Sequence, residues 1–249
     1  MLIATRLLAI CLASSFFALS RPVVGQSAEW GTLTGRFILG DALPPAKSAN
    51  ANPSLIVGPQ GELANVVVWA RSKNLPVSPD GAKKAHEPVV LEIREREAAP
   101  HIVVLRTTQP LVLRNSGSVP LNVKADLLKN ASFNVLVPAG AAIVQPGLDA
   151  EESLPLPISD SIHPWLSACL LVRSNSYVGV SRPDGRFEIK NLPIGQPIEF
   201  QFWHERVGNL KGIDGNGLTT DEKGRATLTI QPGANDLGDI VIPGEALRR

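Results

Sequence analysis

An all-β chain built as two β-sandwiches is predicted by three features of the sequence. The apolar segments are short and rich in β-branched residues. They are punctuated by 21 Gly, 21 Pro and frequent Asn and Asp, the residues that make turns. No long stretch carries the i, i+3, i+4, i+7 apolar spacing of an amphipathic helix. A chain of 249 residues is long enough for one or two domains.

The chain opens on a leader. Arg6 precedes the apolar run LLAICLASSFFAL at 7–19, which is short against the ~20 residues a membrane-spanning helix needs. Pro22 and then Val23, Val24 and Gly25 follow, a plausible small-residue cleavage site. Residues 1–25 therefore read as a secretory signal peptide, and the remainder as an exported protein of the periplasm or medium. Cys11 follows Ile10, where a lipid-anchored signal wants a small residue, so no lipid anchor is expected. No later segment is long and apolar enough to span a membrane.

Strands are expected at 31–39, 64–70, 89–94, 102–107, 111–115, 121–125, 133–137, 141–144, 166–173, 178–181, 187–190, 198–203, 226–230 and 237–241. So many short strands exceed one small sandwich, hence two. Pro183-Asp184-Gly185 is a hairpin signal, with Pro fixing φ and Gly supplying a positive one. The stretches 47–53, 72–88 and 212–224 read as loops or linkers.

Charge and sulfur content exclude several functions. Of 24 basic residues, Arg6 and Arg21 lie in the leader, which leaves 22 against 23 acidic ones. That balance argues against a nucleic-acid binder, which needs a basic face to displace counterions. The one Met and one of the two Cys, Met1 and Cys11, also lie in the leader. The mature chain then holds a single thiol, Cys169, and no thioether. No G-x-S-x-G elbow, phosphate-binding glycine loop or C-x-x-C pair is present, and no enzymatic activity is expected.

Two families are resembled. Strand 31–39 followed by GELANVVVW at 61–69, then DGRFEIKNLPIG at 184–195, FQFWHE at 200–205 and a closing strand at 235–242, resembles a carboxypeptidase regulatory-like domain, a transthyretin/Ig-like sandwich. In that family the D-G hairpin follows the second strand directly; here it comes about a hundred residues later. The resemblance implies a discontinuous sandwich, 30–74 and 175–243, with a second domain, 80–173, inserted into it. Insertion at an exposed loop tip interrupts few contacts, and loop-closure entropy grows slowly with length.

The insert carries NSGSVPLNV at 115–123, NASFN at 130–134 and DSIHPWL at 160–166. These segments resemble cupredoxins, Greek-key sandwiches that hold one copper ion. They are most similar to the secreted methylamine-utilisation-like group of planctomycetes, with its C-x-I-H-P-W-M ligand loop of amicyanin type. The resemblance places the four ligand slots on Leu121, Asp160, His163 and Leu166. Type 1 copper needs two imidazoles, a thiolate and a weak axial thioether. Leu121 and Leu166 have no donor, Asp160 offers hard oxygen in place of sulfur, and only His163 matches. No copper and no other cofactor is expected. Cys169 lies six residues after His163, where the family's cysteine precedes its histidine by three, and reads as a small buried residue.

Other polar groups read blandly. His163, Asp160 and His101, the last in a Pro-His pair that the cupredoxin-like group shares, are the residual candidates for a hard N/O site holding zinc or Cu(II). His204-Glu205 lacks the second His of a zinc-protease motif and reads as hydrogen bonding at a sheet edge. His86 and the pair Glu151-Glu152 read as solvated, and Asp184, Asp221, Glu222 and Lys223 as turn residues. Asp214-Gly-Asn-Gly fails the EF-hand pattern at its later positions. Asn130-Ala-Ser132 fits a glycosylation sequon.

The resulting expectation is an exported, non-catalytic binding or structural protein with a degenerate cupredoxin-like domain. Its partner is an unidentified protein or envelope component, met at Trp165 and His163. The competing reading is a periplasmic copper-binding electron-transfer protein.

Overall fold

The computed structural model describes residues 30–40, 55–95, 97–215 and 217–247. The leader, the stretch 47–53 and Arg96 lie outside the described residues.

The chain is all-β. Its strands are β1 (Trp30–Leu39), β2 (Val67–Ala70), β3 (Val89–Arg94), β4 (Glu97–Ala99), β5 (Ile102–Arg106), β6 (Leu111–Asn115) and β7 (Leu121–Ala125). There follow β8 (Phe133–Val137), β9 (Ala142–Gln145), β10 (Leu156–Asp160), β11 (Ser167–Arg173), β12 (Val178–Val180) and β13 (Arg186–Pro193). The last are β14 (Pro197–His204), β15 (Gly208–Asn209), β16 (Asp214–Gly215), β17 (Leu218–Thr219), β18 (Arg225–Thr229) and β19 (Gly233–Ile242).

Two sandwiches form. In one, the sheet β13-β1-β19 faces the sheet β12-β2-β14-β15, with β18 paired to β14. Their core contains Leu33, Phe37, Val66, Val68, Tyr177, Phe187, Phe200, Phe202 and Ile240, drawn from both ends of the chain. In the other, β4-β3-β6-β9 faces β5-β11-β10-β7-β8. Its core runs from Leu91 to Val172 and takes in Leu111, Leu113, Leu121, Val123, Ile158 and Leu170. Period-two alternation produces both cores. Along β1 the residues point alternately in and out, and along β7 Leu121, Val123 and Ala125 are the buried set.

The expected hairpin forms at Gly185, whose φ is +77°. Its N–H donates to Arg182 O at 2.8 Å, and its own carbonyl accepts from Phe37 N–H at 2.9 Å. A Cβ there would sit 2.5 Å from Phe37 O, so only glycine fits.

A third apolar cluster joins the sandwiches. Val67, Trp69 and Trp203 of the first pack against Ile102, Cys169 and Leu171 of the second. Period two explains this as well: Val66, Val68 and Ala70 enter the first core, while Val67 and Trp69 point out of it and into the joint. Buried Arg173 reinforces the joint by donating to Ala70 O at 3.3 Å.

Four expectations need correction. Within 212–224, expected as loop, β16 pairs antiparallel with β17. The stretch 72–88 is not all loop. Ser78 caps a short helix, Pro79–Lys83, accepting from Gly81 N–H with Pro79 at its first position. Segment 156–160 is a strand, β10, inserted between β7 and β11. And Glu152 is not solvated: it is fully buried, and its carboxylate accepts from the backbone N–H groups of Leu128, Lys129 and Asn130 and from the Asn130 side chain. Because Asn130 Nδ2 is bonded to both Glu152 and Ala150 O, the sequon nitrogen is already occupied.

Candidate functional site

The DSIHPWL loop leaves the end of β10 and returns as β11, so Asp160 is the last strand residue and His163 lies in the turn. Asp160 builds that turn. Its Oδ1 accepts from the N–H groups of Ile162 at 2.7 Å and His163 at 2.9 Å. Its Oδ2 accepts from Asn122 N–H at 2.9 Å and faces Nδ1 of His163 at 3.2 Å. A carboxylate can only accept, so Nδ1 carries the proton in that contact. Burial pushes the Asp160 carboxyl up, but the Ile162, His163 and Asn122 N–H groups and the His163 ring together hold it below the usual carboxylate range. A local side-chain-to-backbone bond of this kind is what Asp does in turns generally.

Leu121 and Leu166 are buried, and both belong to the apolar core of the sandwich. Leu121 floors a depression of about 380 Å³ whose rim includes Glu95, Ser118, Val119, His163 and Trp165. His163 and Trp165 are both half-buried, with ring centroids 5.5 Å apart and planes tilted by 49°. Beside them, Ile162 is 64% and Val119 42% exposed.

His101 is not part of this group. Its Nε2 meets Glu205 Oε2 at 2.5 Å, across the joint between the sandwiches. Glu205 Oε1 also accepts from Ser167 Oγ at 3.4 Å. The three-residue set of His101, His163 and Asp160 therefore does not assemble. Among the described residues no three His, Cys, Asp or Glu side chains converge as a set able to hold a metal.

Cys169 lies on the face of β11 opposite to Leu170 and Val172, which enter the sandwich core. It is directed into the joint, away from the turn that holds His163. Burial, and then the Glu205 charge, push its thiol up to about 12, so it stays protonated. The hydrogen bonding expected of His204-Glu205 is present, but His204 makes it from the interior. It is fully buried, and its Nδ1 accepts from Arg206 N–H at 3.2 Å.

The residues at the four positions that the cupredoxin resemblance marks do not fit a type 1 copper centre. Two have no lone pair and are packed into the core, one is a carboxylate whose oxygens accept from its own turn and from Asn122 N–H of β7, and one is an imidazole. The only sulfur in the described residues faces another cluster.

Searches against known proteins add the following. No family model and no curated protein matches the chain. Among solved structures, a purple cupredoxin from Nitrosopumilus maritimus is 16% identical, over 34% of this chain and 99% of its own, with a TM-score of 0.29. Amicyanin from Paracoccus versutus is 15% identical, over 43% of this chain and 97% of its own, with a TM-score of 0.29. A reduced amicyanin variant is 13% identical, over 43% and 98%, with a TM-score of 0.30. Among the described residues no helix is long and apolar enough to cross a membrane.

The Glu205 and Glu152 contacts were missed in the sequence. The partners of Glu205 lie 104 and 38 residues away, so no local pattern announces them. Glu152 carried no local signal either, because the N–H groups and the Asn130 amide that it accepts from lie 22 to 24 residues earlier in the chain.

Proposed function

We propose that the chain is an exported, non-catalytic binding or structural protein, a carboxypeptidase regulatory-like sandwich carrying an inserted cupredoxin-like one that has lost its type 1 copper ligands. The observation that carries this reading is the state of Asp160. At the slot where the resembled planctomycete group has its thiolate, this chain has a carboxylate that accepts three backbone N–H groups and faces His163. Those bonds give the loop its shape without an ion. The buried Leu121 and Leu166 extend the core where donors would stand. A sandwich retains its fold under such replacement because its burial comes from two sheets and not from the metal.

The surface left at this end of the sandwich offers Trp165, His163, Val119 and Ile162 to a protein or envelope partner. A half-buried indole with an apolar surround is the composition that protein contacts favour. Export is supported by the leader pattern at 1–25.

The test is copper loading of the purified chain, followed by desalting, metal analysis and visible absorption. The expected result is no intense thiolate-to-copper band and no stoichiometric metal. An intense band would replace this reading with electron transfer. A colourless protein that retains one Cu or Zn, and loses it in His163→Ala, would instead show a rebuilt nitrogen–oxygen site.

A further inference from the structure

His204 sits where the joint between the sandwiches is fastened. It is the last residue of β14, after Trp203, whose indole packs in the joint, and before Glu205, whose carboxylate reaches His101 of the other sandwich. Neighbouring Phe202 points into the first core, and Trp203 out of it. His204 is fully buried. One ring nitrogen is hydrogen-bonded and the other is not. Nδ1 accepts Arg206 N–H at 3.2 Å, and Val207 N–H donates to His204 O at 3.1 Å, which closes a tight turn. Nε2 is buried without a hydrogen-bond partner, with the Ala64 carbonyl near the ring.

The ring can therefore take a second proton only at Nδ1, the atom that accepts from Arg206. A protonated Nδ1 donates and no longer accepts. It would confront the Arg206 N–H and break the bond that shapes the turn presenting Glu205. We propose that His204 is an acid-sensitive release for the joint: proton uptake at Nδ1 undoes the 204–207 turn, withdraws Glu205 from His101 and Ser167, and lets the two sandwiches separate.

The surroundings favour this direction. The charged and titratable groups near the ring are Glu205 and Arg206 beside it and His101 across the joint. Burial dominates and pushes the imidazole down to about 4, against partial opposition from the Ala64 carbonyl and Glu205. A histidine whose folded value lies below its free value of ~6.5 favours the closed form fully above that pH. This preference is lost progressively as pH falls towards 4. Glu205 is drawn towards its ionised form: burial pushes its carboxyl up, but His101, Ser167 and His204 together hold it below the usual range. The Cys169 thiol, facing Glu205 from β11, is neutral throughout. Among these groups His204 is the one whose protonation removes a hydrogen-bond acceptor from the turn.

The test uses Trp69 and Trp203, which are buried in the joint. In the full chain carrying Trp30→Phe and Trp165→Phe, these two are the remaining indoles. Between pH 7 and 4 their emission is expected to shift to the red and their acrylamide quenching to rise several-fold, while far-UV circular dichroism holds. In His204→Asn the amide oxygen can still accept from Arg206 but takes up no proton, and the indoles should stay shielded to pH 4. Should this variant fail to fold, the imidazole of the parent chain is followed by NMR, and its titration must coincide with indole exposure. Shielded indoles at pH 4, equal transitions in parent and His204→Asn, loss of circular dichroism together with the fluorescence change, or a His204 ring that titrates before the indoles are exposed would each overturn the proposal.

Discussion

Oδ2 of Asp160 lies 3.2 Å from Nδ1 of His163 while accepting Asn122 N–H at 2.9 Å, so one carboxylate oxygen ties the turn ring to strand β7. Its other oxygen holds the Ile162 and His163 N–H groups. Removing the carboxylate in Asp160→Ala strands these N–H groups beside the core. Each hydrogen bond to a charged group contributes roughly 1.5–3 kcal/mol, and the bonds share one side chain, so a loss of about 3 kcal/mol is expected. The sign with pH follows from the lowered carboxyl. Its contribution is present above the free value near 3.8 and fades as pH falls through the lower folded value. Urea unfolding of both proteins at pH 7 and pH 3 measures this: the gap between them should narrow at the acidic pH.

Much of the inserted sandwich is legible in the sequence for a simple reason. β6, β7 and β8 carry uninterrupted period-two runs of β-branched and aliphatic residues, and their bounds are those expected, 111–115, 121–125 and 133–137. β10 obeys the same alternation, with Leu156 and Ile158 buried, but Pro157 and Ser159 dilute its signal and a proline speaks against a central strand. Its paired position was thus hidden in plain composition. At the site, the link between Asp160 and His163 spans three residues and follows from turn chemistry. The contact of His101 with Glu205 bridges two sandwiches, and only the folded joint brings it about.

A rebuilt ligand set tests the slot assignment directly. Leu121, His163 and Trp165 border one depression, and Asp160 touches the His163 ring. The triple variant Leu121→His, Asp160→Cys and Leu166→Met would supply the second imidazole, the thiolate and the thioether alongside His163. Cu(II) addition should then produce an intense thiolate-to-copper band that the parent lacks. A folded triple variant that binds no copper would mean that these four positions are not the slots.

Glu152 fixes a loop that is otherwise exposed. Leu128 is 65% exposed, yet its N–H and those of Lys129 and Asn130 are captured by this one buried carboxylate. Glu152→Ala removes the acceptor from three backbone N–H groups and the Asn130 amide at once, with an expected cost of about 3 kcal/mol. The 126–132 segment should also become the first site of limited proteolysis, whereas the parent resists cleavage there. Mapping early cleavage sites by mass spectrometry decides the point.

Cys169 gives a chemical reading of the joint. Its side chain packs with Trp69, Ile102, Leu171 and Trp203, and only 3% of the residue is exposed. Burial and the nearby Glu205 charge push the thiol up to about 12, so the nucleophilic thiolate is scarce at neutral pH even before access is considered. The native chain should therefore react with a thiol reagent at pH 8 orders of magnitude more slowly than the urea-unfolded chain. Weakening the joint should raise the native rate in proportion to how often it opens. Leu171→Ala, which removes buried methyl groups facing Cys169 at a cost of roughly 2–5 kcal/mol, is the variant to compare. If its labelling accelerates while the inserted core stays protected from hydrogen exchange, the joint opens as a local unit. If labelling and core exchange accelerate together, the two sandwiches and the joint unfold as one cooperative body.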